Sequence, residues 1–333
     1  MKKVLILGAG TWGIALATAF RKNENKVSVW SYKKSQVDFL NETHIYDKFN
    51  NLKLDQNIKF VSDEDLNVDS FDIIIFVVPS TAFREVAKKI IPKTNDKQTL
   101  VTATKGIEDN TLYTMSEILE DELKINNIKN TKVVALSGPT HAEEVVLSMP
   151  TAIVSASRDL EAASVVQNTL MYEDLRVYTN DDIRGVEVCA AFKNIIAIAC
   201  GITRGLGAGD NIKAAIIVRG LAEMIRLGEK LGCKKDTFYG LAGIGDMIVT
   251  SMSPHSRNNR FGEYIGSGMS VGEAIKKVGQ VVEGVNLITK AHTLIQKYNI
   301  EMPITEGMYK VIIENVNAKD IVNVLMTRDK KKE

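Results

Sequence analysis

Residues 1–20 read MKKVLILGAGTWGIALATAF. Val4–Leu7 is an apolar run of strand length. It leads directly into Gly8-x-Gly10-x-x-Gly13, and a helical pattern follows over 14–22. Strand, glycine turn and helix in that order make the dinucleotide-binding fingerprint in its proper context. Gly8 permits the tight turn, Gly10 lets backbone approach a pyrophosphate, and Gly13 lets helix pack on strand. The helix start then offers unpaired N–H groups and a positive dipole end to phosphate.

The same residues carry a second pattern. Lys2 and Lys3 before an apolar run, with Ala15-Leu16-Ala17 behind it, resemble a secretory signal. Three glycines in six residues suit a helical signal core badly, because each costs about 1 kcal/mol in a helix. Val27–Trp30 supplies a second strand at the spacing a βαβ unit needs. The fingerprint is therefore the favoured reading.

Working outward, short β-rich runs alternate with helical patterns through the first half. The predicted strands are 4–7, 27–30, 58–61, 73–78, 100–104, 133–137, 151–155 and 176–178. The predicted helices are 14–22, 34–41, 81–91, 111–124, 141–148 and 159–170. Ile73–Val78 has no polar alternation, as a strand covered on both faces requires. From Asp182 onward the strand signal stops, and helical patterns follow at 183–200, 211–232, 257–267, 271–278, 284–298, 304–315 and 318–326. Asp210 and Asn211 are candidate caps. The expected architecture is an α/β Rossmann-type, doubly wound, mostly parallel sheet over 1–185 and an all-α domain over 186–333.

Composition excludes several classes. The chain has 333 residues, 45% apolar and 25% charged, with net charge +1. No basic field points to nucleic acid. Cys189, Cys200 and Cys233 are odd in number and widely spaced, which fits neither a disulfide framework nor a zinc site and suits a reducing cytoplasm. The four histidines form no metal pattern, so no metal is expected. The longest apolar run, 188–202, is broken by Lys193 and Asn194 before it reaches membrane-spanning length. Lys330–Glu333 reads as a solvated end.

In a parallel sheet the strands' carboxyl ends share one edge, and ligands bind there. Ile73–Val78 ends in Pro79-Ser80, Leu100–Thr104 in Lys105-Gly106, and Val133–Ser137 in Gly138-Pro139-Thr140. Each alone is an ordinary turn, but together with the glycine turn they line one cleft. Lys105 there can meet a carbonyl or phosphate oxygen as a point charge. Lys193 is more unusual. Its helix neighbours at three and four residues are Cys189, Ala190, Ile196 and Ala197, so no carboxylate on its own helix pairs with it. The amine must snorkel, find a partner elsewhere, or give up its proton readily. The last would make it a general base. Gly240–Asp246 places a carboxylate after three glycines, and Ser256-Arg257-Asn258-Asn259-Arg260 clusters donors at a helix start, which suits phosphate. No acid closes the second strand, where Ser31-Tyr32-Lys33-Lys34 follows; this leans toward NADP(H), with NAD(H) also possible.

Taken together, GAGTWG (8–13), VVPS (77–80), ATKG (103–106), SGPTHAEE (137–144), PTA (150–152), AAFKNIIAIACG (190–201), RGLAEMIRLG (219–228), GLAGIGD (240–246), SRNNRFG (256–262) and VVEG (281–284) resemble the bacterial NAD(P)-dependent glycerol-3-phosphate dehydrogenases. The resemblance implies reversible hydride transfer between sn-glycerol 3-phosphate and dihydroxyacetone phosphate, supplying phospholipid synthesis, in a protein that is often a homodimer. It implies Lys193 as the catalytic acid/base, Lys105 as the group polarising the reacting oxygen, and Asp246 beside them. Gly138, Thr140, Asn194, Thr250, Ser256, Arg257 and Asn258 fall at substrate positions. Gly8, Gly10, Thr11, Trp12, Gly13, Tyr32, Lys33, Lys105, Ala142, Arg257, Val281 and Glu283 fall at cofactor positions. The chain departs from the pattern at His141, Thr203-Arg204 and Val218, none of which removes a proposed catalytic group. The rival readings are another dehydrogenase of similar architecture and an inactive dinucleotide sensor.

Overall fold

A computed structural model describes residues 1–330 and 332; of the terminal basic run, Lys331 and Glu333 lie outside the described residues. The chain divides into two units. One comprises Met1–Lys105 and Tyr113–Glu187, the other Gly106–Leu112 and the residues from Val188 onward. The segment Gly106–Leu112 thus groups with the helical unit, whereas a linear division at 185/186 leaves it with the sheet.

The first unit runs β1 (Lys3–Leu7), α1 (Thr11–Lys22), β2 (Lys26–Trp30), α2 (Lys34–Thr43), β3 (Ile45–Tyr46), β4 (Leu52–Lys53), β5 (Lys59–Val61) and β6 (Ile73–Phe76). It continues with α3 (Phe83–Ile90), β7 (Thr99–Thr102), α4 (Met115–Ile125), β8 (Lys132–Ser137), α5 (Ala142–Val146), β9 (Thr151–Ala156), α6 (Leu160–Leu170) and β10 (Leu175–Asn180). Eight strands form one sheet in the order β10-β9-β8-β7-β6-β1-β2-β5. The chain reverses direction outward from β1, once toward β2 and once toward β6, the switch point at which doubly wound sheets bind ligands. β1 pairs in parallel with β2 and β6, Leu7 facing both Trp30 and Phe76. The reading of β1 as a strand rather than a helical signal core follows from this pairing.

The sheet is mostly parallel, with one exception: β9 runs antiparallel to β8, with Leu136 opposite Ser155. The small antiparallel ribbon of β3 and β4 is an addition that no sequence pattern announced. Its strands have two residues each, too few to show a period. The central strands are dry on both faces, with Val4–Leu7 and Ile74–Phe76 at 0% exposure.

α7 (Ile183–Gly205) carries the chain from the first unit into the second. It is long and apolar enough to cross a membrane by length and composition, so the apolar run reaches further than its two polar residues suggest. Its apolar window is wholly buried within the protein. Then follow α8 (Asp210–Lys230), α9 (Lys235–Tyr239), α10 (Asp246–Met252), α11 (Arg257–Gly266), α12 (Val271–Val278), α13 (Glu283–Tyr298), α14 (Pro303–Ile312) and α15 (Ala318–Met326). α8 is capped by Gly209, and Asp210 is its first helical residue rather than its cap. No strand occurs in this unit among the described residues, and α7 forms its centre through Val188, Phe192, Ile195 and Ile198.

Two buried glutamates hold helix starts. Glu187 accepts from the Ser116 N–H at 2.8 Å in the first turn of α4. Glu223 accepts from the N–H groups of Ile304 at 2.6 Å and Thr305 at 3.0 Å in the first turn of α14. Burial pushes each carboxyl up to about 7, against the opposing pull of those donors. A carboxyl raised on folding binds more protons folded than unfolded. Its stabilising effect is complete below the ordinary carboxylate range and is lost as pH rises through 7. Glu223→Gln is therefore expected to gain on the wild type in thermal midpoint as pH moves from about 4.5 to 7, read by calorimetry across that range. A constant difference would show that Glu223 does not titrate there.

Candidate functional site

The glycine turn has the geometry that a dinucleotide requires. Gly8 has φ +128°, and a Cβ there would lie 2.4 Å from the Val77 carbonyl oxygen. A Cβ on Gly13 would lie 1.9 Å from the Gly8 carbonyl oxygen, so α1 can approach β1 this closely only with glycine. Gly10 differs: a Cβ there meets nothing within 4 Å. That open volume lies at the start of α1, whose capping residue is Gly10 and carries no side-chain cap, so the first-turn N–H groups are left for a ligand. Trp12 adds a buried indole Nε1 with no hydrogen-bond partner. These residues fit a bound pyrophosphate.

At the end of β2, Tyr32 is 73% exposed and the Lys33 ammonium lies over its ring at 5.5 Å. Glu64, from beyond β5, engages Lys34 at 2.8 Å, while Lys33 stands beside Tyr32. Elsewhere in this unit Gly138 follows β8, and the Thr140 hydroxyl donates to the Gly138 carbonyl at 3.2 Å. His141 precedes α5, of which Ala142 is the first residue. Lys105 is half-buried beyond β7, the last residue before the chain enters the helical unit.

The helical unit brings together residues far apart in sequence. Lys193 on α7 is 4% exposed, so it does not snorkel. Its ammonium donates to the Asp246 carboxylate and, at 2.7 Å, to the Thr250 hydroxyl. Asp246 and Thr250 stand one turn apart on α10 and so share a face. The Thr250 hydroxyl lies 3.3 Å from the same carboxylate oxygen. Of the three outlets open to this amine, the fold supplies a partner from another helix. Residues 240–246 are not the flexible glycine loop that their composition suggests. Leu241–Gly245 is a π-helical turn that runs straight into α10 and fixes Asp246 as its first residue. Single π turns of this kind recur at functional sites.

Next to Lys193, Asn194 joins a second cluster. Its side-chain oxygen accepts from the Asn258 amide at 2.9 Å, and the Asn258 oxygen accepts from the Gly284 N–H at 3.0 Å. Ser256 caps α11 by accepting from the Asn259 N–H at 3.2 Å. Arg257, the first residue of that helix, is exposed. Glu283 opens α13 beside Gly284, and Val281 lies exposed before it. Asn259 belongs to the donor cluster read from the sequence, but it turns into the core. It is fully buried, and its amide donates to the Ser251 carbonyl at 2.6 Å, tying the start of α11 to α10. Of the departures, Arg204 donates to the Met252 carbonyl at 3.3 Å and lies 3.7 Å from Glu263, which moderates its charge, and Val218 is exposed. No group of metal-ligating side chains occurs among the described residues.

A Rossmann-type nucleotide fold joined to a helical unit that buries a lysine–carboxylate–hydroxyl cluster defines a nucleotide-dependent dehydrogenase. Family models for the N-terminal and C-terminal regions of NAD-dependent glycerol-3-phosphate dehydrogenase match residues 3–163 and 182–323. The chain belongs to that family and is an oxidoreductase. It is 47% identical over 334 residues to a glycerol-3-phosphate dehydrogenase [NAD(P)+] of Lactobacillus delbrueckii, covering 100% of this chain and 99% of that protein. It is 46% identical to the Bacillus subtilis enzyme, covering 99% of this chain and 95% of the other. Among solved structures, glycerol-3-phosphate dehydrogenase from Coxiella burnetii superposes with a TM-score of 0.92 at 36% identity, covering 98% of this chain and 99% of that one.

Proposed function

We propose that this chain interconverts sn-glycerol 3-phosphate and dihydroxyacetone phosphate with a nicotinamide nucleotide, NADP(H) favoured over NAD(H), and so supplies glycerol 3-phosphate for phospholipid synthesis. The observation that carries the reading is the buried Lys193–Asp246–Thr250 cluster. When bound, the nicotinamide gives or takes the hydride. The protein must then move a proton at the substrate oxygen. In reduction, Lys193 donates that proton. In oxidation, it removes the hydroxyl proton. Asp246 and Thr250 fix the direction of the amine, so its orientation is settled before substrate arrives. Lys105 polarises the reacting oxygen as a fixed positive charge.

The remaining residues bind and orient. Ser256, Arg257 and Asn258 grip the phosphate at the start of α11, where the exposed guanidinium and the helix N-terminus both favour an anion. Asn194, Gly138 and Thr140 complete the substrate contacts. Gly8, Gly10, Thr11, Trp12 and Gly13 receive the pyrophosphate, and Tyr32 and Lys33 the ribose. Ala142, Val281, Glu283, Lys105 and Arg257 contact the remainder of the cofactor. The family pattern adds a homodimer in the cytoplasm to this reading, and three buried free thiols suit a reducing compartment.

The test is the loss of NADPH absorbance on adding dihydroxyacetone phosphate, repeated with NADH. Turnover that depends on that substrate supports the proposal, and its absence with intact nucleotide binding refutes it. Arg257→Ala is expected to raise KM for the phosphorylated substrate by roughly 10- to 100-fold, the loss of one charge-assisted phosphate contact, with a smaller change in kcat. An unchanged KM would remove Arg257 from the phosphate grip.

A further inference from the structure

The buried face of α13 comprises Gly284, Leu287, Ile288, Ala291, Leu294 and Ile295, and it also contains a lysine. Lys290 is 5% exposed at its side chain, and its ammonium lies 3.1 Å from the carboxylate of Asp109, itself 65% exposed. A methionine of similar length would fill this site without the cost of desolvating a charge. Replacing a buried ion pair with apolar residues is often neutral or stabilising. Stability alone thus gives no reason for the amine. The pair has a definite location: it joins α13 to Gly106–Leu112, the segment that departs from the sheet unit immediately after Lys105. Within the same segment Ile107 is 3% exposed in the core of the helical unit. One apolar anchor and one charged anchor, two residues apart, thus hold the chain just past Lys105.

We propose that Lys290 is a positioning residue for the reaction: through Asp109 it fixes the segment 106–112 and thereby the placement of Lys105. The inference rests on the role given above to Lys105. Ile107 sets the depth of the segment in the core, and the Lys290–Asp109 pair adds a directional contact that specifies its register. A displacement of about 1 Å at a reacting group can cost as much as 100-fold in rate, so a partial loss of register is expected to be visible in turnover.

The experiment compares Lys290→Met, Lys290→Arg and Lys105→Ala with the double variant Lys105→Ala/Lys290→Met in the full-length enzyme. Lys290→Met is expected to lower kcat about ten-fold with little change in KM for dihydroxyacetone phosphate, and Lys290→Arg to restore most of it. In the Lys105→Ala background, Lys290→Met is expected to cost nothing further. Amide exchange over 106–112 is expected to quicken in Lys290→Met. Equal losses in both backgrounds, or unchanged exchange over 106–112, overturn the proposal. A fully active Lys105→Ala enzyme instead overturns the role of Lys105, and exchange still reads the tether independently. Should Lys290→Met fail to fold, Lys290→Leu, which also removes the charge and leaves no unpaired buried ion, gives the same readouts.

Discussion

Lys193→Ala is expected to lower kcat for dihydroxyacetone phosphate reduction by roughly 100-fold or more, the size of a lost general acid, while NADPH affinity stays nearly as it was. Carbonyl reduction needs a proton at oxygen as well as a hydride at carbon. Lys193 is the amine that this helical unit holds buried against a carboxylate and a hydroxyl, at 4% exposure. Its direction is set by two groups on one face of α10, so little reorganisation is needed when substrate binds. The nucleotide-binding features lie elsewhere, in the glycine turn and the start of α1. Loss of the amine therefore separates turnover from binding. Steady-state kinetics and NADPH fluorescence titration on the same preparation check both halves. An enzyme that stays active without this amine is not using it as its acid.

What could be read from sequence follows the range of the interactions involved. The glycine turn is local: thirteen residues contain the strand, the turn and the helix start, and Gly8 and Gly13 are required by contacts within that span and with Val77. Lys193 was legible as an anomaly, because its own helix offers no partner. Its partner was not legible, since Asp246 lies 53 residues away and no spacing rule links them. The π-helical turn at Leu241–Gly245 was hidden by its two glycines and by Gly240 before it, whose composition suggests a loop. Tertiary packing overrode that local preference. The antiparallel setting of β9 was equally hidden, because a strand's own sequence does not state its direction. Asn258 was found as a donor, but its orientation depends on the Gly284 N–H, 26 residues later. Nothing in the sequence marks Asp109 or Lys290, since only the fold buries the lysine beside the carboxylate.

Asp246→Ala is expected to reduce both stability and activity, and the two losses have different causes. Removing one partner of a buried ion pair leaves an uncompensated charge, which costs about 3–5 kcal/mol. For a unit of this size that lowers Tm by roughly 10 °C. Lys193 and Asp246 are exposed by only 5% and 2% at their side chains, so water does little to soften the loss. Turnover falls as well, because the amine loses the carboxylate that orients it beside the Thr250 hydroxyl. A destabilised enzyme is also a less active one, so Asp246→Ala alone cannot assign the carboxylate to chemistry. The double variant Lys193→Met/Asp246→Leu separates the two effects. With both charges gone, no desolvated ion remains, and two apolar side chains of similar size fill the space. Its Tm is expected to return most of the way to the wild-type value, while kcat stays at or below the level of Lys193→Ala. Scanning calorimetry and the NADPH assay read the two quantities separately. If Asp246→Ala leaves Tm unchanged, the amine is not held as a buried cation. If the double variant recovers turnover, neither group moves the proton.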